Sequence, residues 1–292
     1  MNLLGQPAHV GRFCGSNRYL VDPDVVAFYR DALGDSGGDD ASAAPPLLHH
    51  SECYRFLGEW YLKNLFGNLH AQQDWELFAP VPVGATVRSV STIVDRYTKR
   101  GRLYVVNETD LFDVASERLL VRSRTHQSFL PEPAQGGAAG ATRGDFVVDE
   151  KTAAAKTPRA PFPTATGPEL APAEKTVDAR RCWMFSGPGR NYHTDREKAL
   201  ELGFPNIVVQ GMMTTCFVSE VMERAFGGGW RQGGRMSVKL TNVLWVDEHV
   251  VARAKQRETV REGTAERVHF DVWVEKDDGT RVALGQASAL RG

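Results

Sequence analysis

Apolar positions along the chain run through the same pattern twice. In the first round Cys53, Phe56, Leu57, Trp60, Tyr61 and Leu65 recur at helical spacing, which predicts a helix from Ser51 to Phe66 ending before Gly67. Strand-like runs follow over Asp74 to Phe78, Thr86 to Asp95, Leu103 to Phe112 and Glu117 to Leu130. In the second round Met212, Met213, Cys216, Phe217, Val221, Met222 and Phe226 mark a helix that stops at Gly227-Gly228-Gly229. Strands are again expected near Met236 to Leu244, Val250 to Arg261, Ala265 to Glu275 and Arg281 to Leu290. Glycine-containing turns such as Arg100-Gly101 and Asp278-Gly279 separate consecutive runs, as hairpins require. The alternation Val268-His269-Phe270-Asp271-Val272 fits a strand with one buried face.

A long apolar helix followed by antiparallel strands must bury that helix against one face of the sheet. Two such units, related by duplication, can join their sheets edge to edge and so protect both edges. Between the rounds, Pro131 to Lys175 is dominated by Ala, Pro, Gly and Thr, with too few large apolar residues to offset the entropy of ordering it. The expected organisation is therefore residues 1–130, a linker over 131–175, and a second domain over 176–292. A shorter breaker, Ser36 to Pro46, reads as a loop within the first half.

Composition narrows the function classes. A net charge of −1 with interspersed signs offers no field for nucleic acid or an anionic membrane surface. No run approaches the roughly 20 apolar residues of a membrane span. The first residues lack the charged segment and apolar core of a secretion signal. Cys14, Cys53, Cys182 and Cys216 are widely spaced, which argues against a zinc site or disulfide framework and fits a cytoplasmic location. Cys216, inside an apolar run, is expected to be a buried inert thiol.

The most informative stretch runs from Phe185 to Ser219. It contains Ser186-Gly187, Asn191 beside His193-Thr194-Asp195, Gly203-Phe204, and Gly211-Met212 opening the second helix. Here the sequence resembles the MaoC-like hydratase/dehydratase family, which includes the R-specific enoyl-CoA hydratases. The first half looks like the degenerate N-terminal partner of two-domain members, on Trp75 to Gly84 and Tyr97-Thr98-Lys99-Arg100-Gly101. The resemblance implies an α+β double hot-dog, with two antiparallel sheets each wrapped around a central helix. It also implies a substrate that is an enoyl or 3-hydroxyacyl thioester, on coenzyme A or a carrier, and no cofactor or metal. The first half would form the acyl tunnel. Either a homodimer or a hetero-oligomer with another hot-dog protein is compatible with this fold.

By the same resemblance His193 is the acid/base, Gly211 the oxyanion donor at the helix start, and Asn191 a polar positioning group. A near-neutral pKa suits His193 to that work, although a capping or surface histidine would read the same in isolation. Unpaired amides and partial positive charge at a helix start suit a developing enolate oxygen. Ser219 matches a position where the family places a hydroxyl contact to the active-site loop. Asp195 either orients the imidazole or caps the helix of Arg196 to Leu202, and Arg190 either faces the substrate or is solvated. The pattern breaks at Pro188, which stands where the family has its catalytic Asp and has no carboxylate to hold water. Altered chemistry follows: an isomerase or cyclase using one His, or a non-catalytic acyl-binding subunit. A thioesterase fits less well, because Gln210 is neutral. His49 and His50 precede the first helix, where polar residues are ordinary.

Overall fold

The structure is a computed structural model, and it describes residues 8–35, 42–56, 69–129 and 162–291. The first half contains β1 (Phe13–Leu20), α1 (Pro23–Leu33), β2 (Ala43–Ala44), a 3-10 turn (Leu48–Cys53), β3 (Leu69–Leu77), β4 (Val81–Pro82), β5 (Thr86–Lys99), β6 (Arg102–Asp113) and β7 (Leu119–Phe129). The second half contains β8 (Ala173–Thr176), α2 (Ala179–Ser186), α3 (Arg196–Glu201), α4 (Gly211–Phe226), α5 (Gly228–Arg231), β9 (Arg235–Leu240), β10 (His249–Glu262), β11 (Ala265–Lys276) and β12 (Arg281–Arg291). Of the helix expected from Ser51 to Phe66, residues 57–66 lie outside the described residues.

Ten strands form one antiparallel sheet in the order β1-β5-β6-β7-β3-β9-β12-β11-β10-β8. The second five repeat the first five in reverse, so the duplicated pattern along the chain reappears as a mirrored strand order. The two antiparallel sheets expected, one around each helix, are here one continuous ten-stranded sheet, joined edge to edge. β3 and β9 pair from Gln72↔Lys239 to Glu76↔Arg235, and this seam fuses the halves. The reason is the edge: unpaired N–H and C=O rows on both strands satisfy each other.

α4 is buried on every side from Met212 to Met222, with Met212, Met213, Phe217, Val218, Val221 and Met222 at most 1% exposed. It lies against β8, β10, β11 and β12 and reaches β3 across the seam. α1 packs on α2, so the first half also braces the segment leading to the His193 loop. The end of the expected linker is not loose. Gly167 and Leu170 donate backbone N–H groups to Gln256 and Ala254 at 3.0 and 2.9 Å, and β8 pairs with β10. An open strand edge on β10 explains why so plain a sequence is ordered there. Among the described residues no helix is long and apolar enough to cross a membrane.

Candidate functional site

The loop between α2 and α3 is held by its own side chains. Asn191 Oδ1 accepts the His193 amide at 2.8 Å, and Thr194 Oγ1 accepts the Asn191 amide at 3.0 Å while donating to Gly189 O at 2.8 Å. The loop is then stitched to the strand-like segment before α4. Val208 N–H donates to Tyr192 O at 3.1 Å, and His193 Nδ1 lies 2.7 Å from Val208 O. A carbonyl only accepts, so Nδ1 carries the proton and Nε2 presents its lone pair. No group among the described residues takes up Nε2. Burial draws the imidazole down to about 4, so it is neutral at ordinary pH. Tyr192 covers one side, its ring centroid 4.0 Å from that of His193.

Val208 stands three residues before Gly211, so the same bond ties the imidazole to the start of α4. Gln210 takes the cap position in extended conformation but makes no side-chain cap, which leaves the amides of Gly211 and Met212 without a side-chain acceptor. Gln210 Oε1 is buried and has no hydrogen-bond partner among the described residues. A Cβ on Gly211 would meet Leu240 Cδ1 at 2.3 Å, so the glycine also admits β9 against the helix start. One neutral imidazole and free amides at a helix end can move a proton and stabilise an oxyanion.

The other expected residues are placed differently. Asp195 caps α3, accepting from Lys198 N–H at 3.1 Å, and pairs with Arg190 at 2.7 Å; Arg190, helped by the cap, holds its carboxyl at about 2. It does not orient the imidazole, which bonds a backbone carbonyl instead. Arg190 is 62% exposed and shared between Asp195 and Glu197, so its charge is spent on the surface. Asn191 shapes the loop through Oδ1, with Nδ2 turned to Gly189 O at 3.3 Å. Among the described residues Ser219 makes no hydrogen bond to the loop; it accepts the buried Trp230 indole N–H at 2.9 Å, which needs an acceptor in a dry place. No carboxylate replaces the one absent at Pro188: among the described residues none bonds His193.

Four further polar side chains are held inside the fold: His70 and Lys175, which the sequence did not single out, and His49 and His50, which it placed before the first helix. Cross-strand partners share a face, and a bulge between His70 and Gln72 lets Gln72 pair with His126 but His70 with Gln127. His70 therefore turns to the inner face, where Tyr54 Oη meets Nδ1 at 2.8 Å. Burial lowers the His70 ring to about 4, with the backbone and Gln73 opposing and the His126 and His193 charges adding to the fall. Inside the expected linker, Lys175 is 6% exposed and pairs with Glu220 of α4 at 2.7 Å. His50 is stacked on Phe185 with centroids 3.9 Å apart, and His49 stands edge-on to Trp75 at 5.5 Å.

Residues 164–278 match the family model described as a MaoC like domain. No curated protein matches the chain by sequence. Over 97% of this chain and 98% of the other, the fold is similar to that of a MaoC-like dehydratase, with a TM-score of 0.73 and 16% identity. It is also similar to full-length peroxisomal multifunctional enzyme type 2 from Drosophila melanogaster, with a TM-score of 0.64 and 18% identity over 94% of this chain. The chain spans about half of that enzyme, 48% of its length. A Mycobacterium tuberculosis protein described as a double hotdog fold matches over 97% of this chain and 95% of its own, with a TM-score of 0.61 and 11% identity. The chain thus has a double hot-dog fold, and residues 164–278 of its second half are similar to the MaoC like domain.

Proposed function

We propose that the protein is a hydratase or dehydratase of acyl thioesters, with the substrate held on coenzyme A or a carrier protein. The observation that carries this reading is the His193 imidazole, fixed through Nδ1 at 2.7 Å on the carbonyl of Val208, three residues before α4, which leaves Nε2 as a base. In the hydration direction, Nε2 takes a proton from water as the water oxygen bonds to the β-carbon of the enoyl group. The electrons of the double bond pass to the thioester oxygen, where the amides of Gly211 and Met212 receive the charge. Return of the proton to the α-carbon completes a 3-hydroxyacyl thioester and restores the neutral imidazole.

Incubation with crotonyl-CoA and longer enoyl-CoAs, followed by loss of the conjugated enone absorbance, tests this. Turnover is expected to fall about 10²–10⁴-fold in His193→Ala. It is also expected to decline below a pH near 4, where Nε2 becomes protonated. Turnover that survives the substitution removes His193 from the mechanism.

Pro188 favours a second reading, a subunit that binds acyl thioesters without turning them over, because its place in the loop offers no carboxylate to hold water. Absence of turnover in the native chain with recovery in Pro188→Asp selects that reading.

A further inference from the structure

The net charge of −1 conceals a local excess at one end of the sheet. Ten residues around the β5–β6 turn, 95–104, hold four cations, Arg96, Lys99, Arg100 and Arg102, against one carboxylate, Asp95. The equivalent ten around the β10–β11 turn, 258–267, hold two cations and three carboxylates. Pairing follows the count. At the second turn Arg267 and Arg235 meet Glu262 at 2.9 and 3.7 Å, and Arg291 meets Glu266 at 3.1 Å. At the first, Arg96 donates to Ala8 O, a backbone oxygen that leaves its charge in place. Among the described residues Arg96, Lys99 and Arg100 form no ion pair. All three are exposed, and a Cβ on Gly101 beside them would meet nothing within 4 Å, so the turn stands out from the sheet.

Register places this turn at the end of the sheet that carries the site. Tyr104 pairs with Ser128 and Ser128 with Leu69, so the turn lies where β3 begins. The seam is antiparallel and pairs Gln72 with Lys239, so β9 finishes at this same end. Its last residue, Leu240, has Cδ1 where a Cβ on Gly211 would stand. The balanced turn is at the other end: Glu266 pairs with Arg291, and Ser288 of that strand with Arg235 at the beginning of β9. From β6 to β9 is three strand spacings, and with the offset along the strands Arg102 stands roughly 20 Å from Leu240.

Resting on the reading of His193 and Gly211 as the thioester site, we propose that the β5–β6 turn is the docking surface for an acidic carrier protein that presents the acyl thioester on a flexible arm. The distance demands the arm, because a partner held at the turn reaches the start of α4 only through a tether. The shape selects a protein. Small anions are bound in concave sites, whereas unpaired charge spread over a projecting turn meets the complementary surface of a macromolecule. Its field draws such a partner to the end of the molecule where the chemistry is done.

The test compares crotonyl-CoA with a crotonylated acidic acyl carrier protein, on the full-length chain and on its Lys99→Glu, Arg100→Glu variant. In the variant kcat/KM for the carrier substrate is expected to fall about tenfold or more, through KM, with kcat kept and crotonyl-CoA changed less than about threefold. Added salt should erase most of the difference between native chain and variant. An equal fall on both substrates assigns the charge to the phosphates of the thioester's own arm and overturns the docking of a protein. No fall on the carrier substrate overturns it as well. Fluorescence polarisation of the labelled carrier separates this proposal from the catalytic one. A carrier that binds the native chain and not the variant, without turnover of either substrate, supports the docking surface while the hydratase reading falls. Turnover of crotonyl-CoA with no carrier bound overturns the docking surface and leaves the hydratase reading standing. If the carrier does not bind and neither substrate is turned over, both fall.

Discussion

At residue scale the site depends on which partner each polar atom finds. His193 faces a carbonyl and not a carboxylate, so its proton is fixed on Nδ1 and its other nitrogen is a base. A carboxylate partner would instead have favoured the imidazolium. Gly211 is more than an oxyanion donor, because Leu240 lies where a Cβ would go. Gly211→Ala is expected to destabilise the fold by about 1–3 kcal/mol, as overpacking does. Leu240→Ala should relieve most of that cost, since the obstacle is the far end of a side chain. Denaturant midpoints of the two single variants and the double variant check this. Additive losses would mean that Leu240 is not the obstacle.

At element scale the informative pieces are those that short-range pattern could not place. The Val87-Arg88-Ser89-Val90-Ser91 run reads as a strand, but its alternation does not say which face turns inward. Register puts Ser89 and Ser91 inside at 0% exposure. One extra residue at Ala71 does the same for His70, which strict alternation would have sent outward with Asp74. β8 was invisible because a four-residue strand in an Ala- and Pro-rich setting has no period to detect. Its Lys175 is a buried cation whose carboxylate sits on α4, and it also donates to Gly34 O at 3.0 Å. Glu220→Gln removes that countercharge, and loss of one partner of a buried pair typically costs about 3–5 kcal/mol. Lys175→Met together with Glu220→Leu should recover most of it. Thermal unfolding of the three variants decides between a structural ion pair and an indifferent one.

At the scale of the whole molecule, four histidines held neutral, His49 and His50 buried and His70 and His193 partly so, set its response to acid. His49 is drawn down to about 3, and His50, His70 and His193 to about 4, each mainly by burial. In the unfolded chain each titrates near 6.5. Between those values the unfolded state binds more protons than the folded one, so stability is full above roughly pH 6.5 and falls as the pH drops toward 4. Melting temperature is expected to decline steadily across that window, and less steeply in His50→Gln. A flat profile from pH 7 to 4 would mean that these rings charge without unfolding the protein.

The order of helix and strands in the second half, and the loop motif around His193, are local properties set by spacing along the chain, and the sequence determined them. Phe226 ends α4 at Gly227, and β10, β11 and β12 begin and end within a residue or two of the runs that predict them. What the tertiary structure decided are the properties that depend on a partner far along the chain. Asp195 caps α3 and pairs with Arg190, the imidazole is taken by Val208 O, and Ser219 is claimed by Trp230. The seam between β3 and β9 made one sheet of two. Hydrophobic periodicity says which residues must leave water; it does not say which distant backbone or side chain will meet each polar atom once they have.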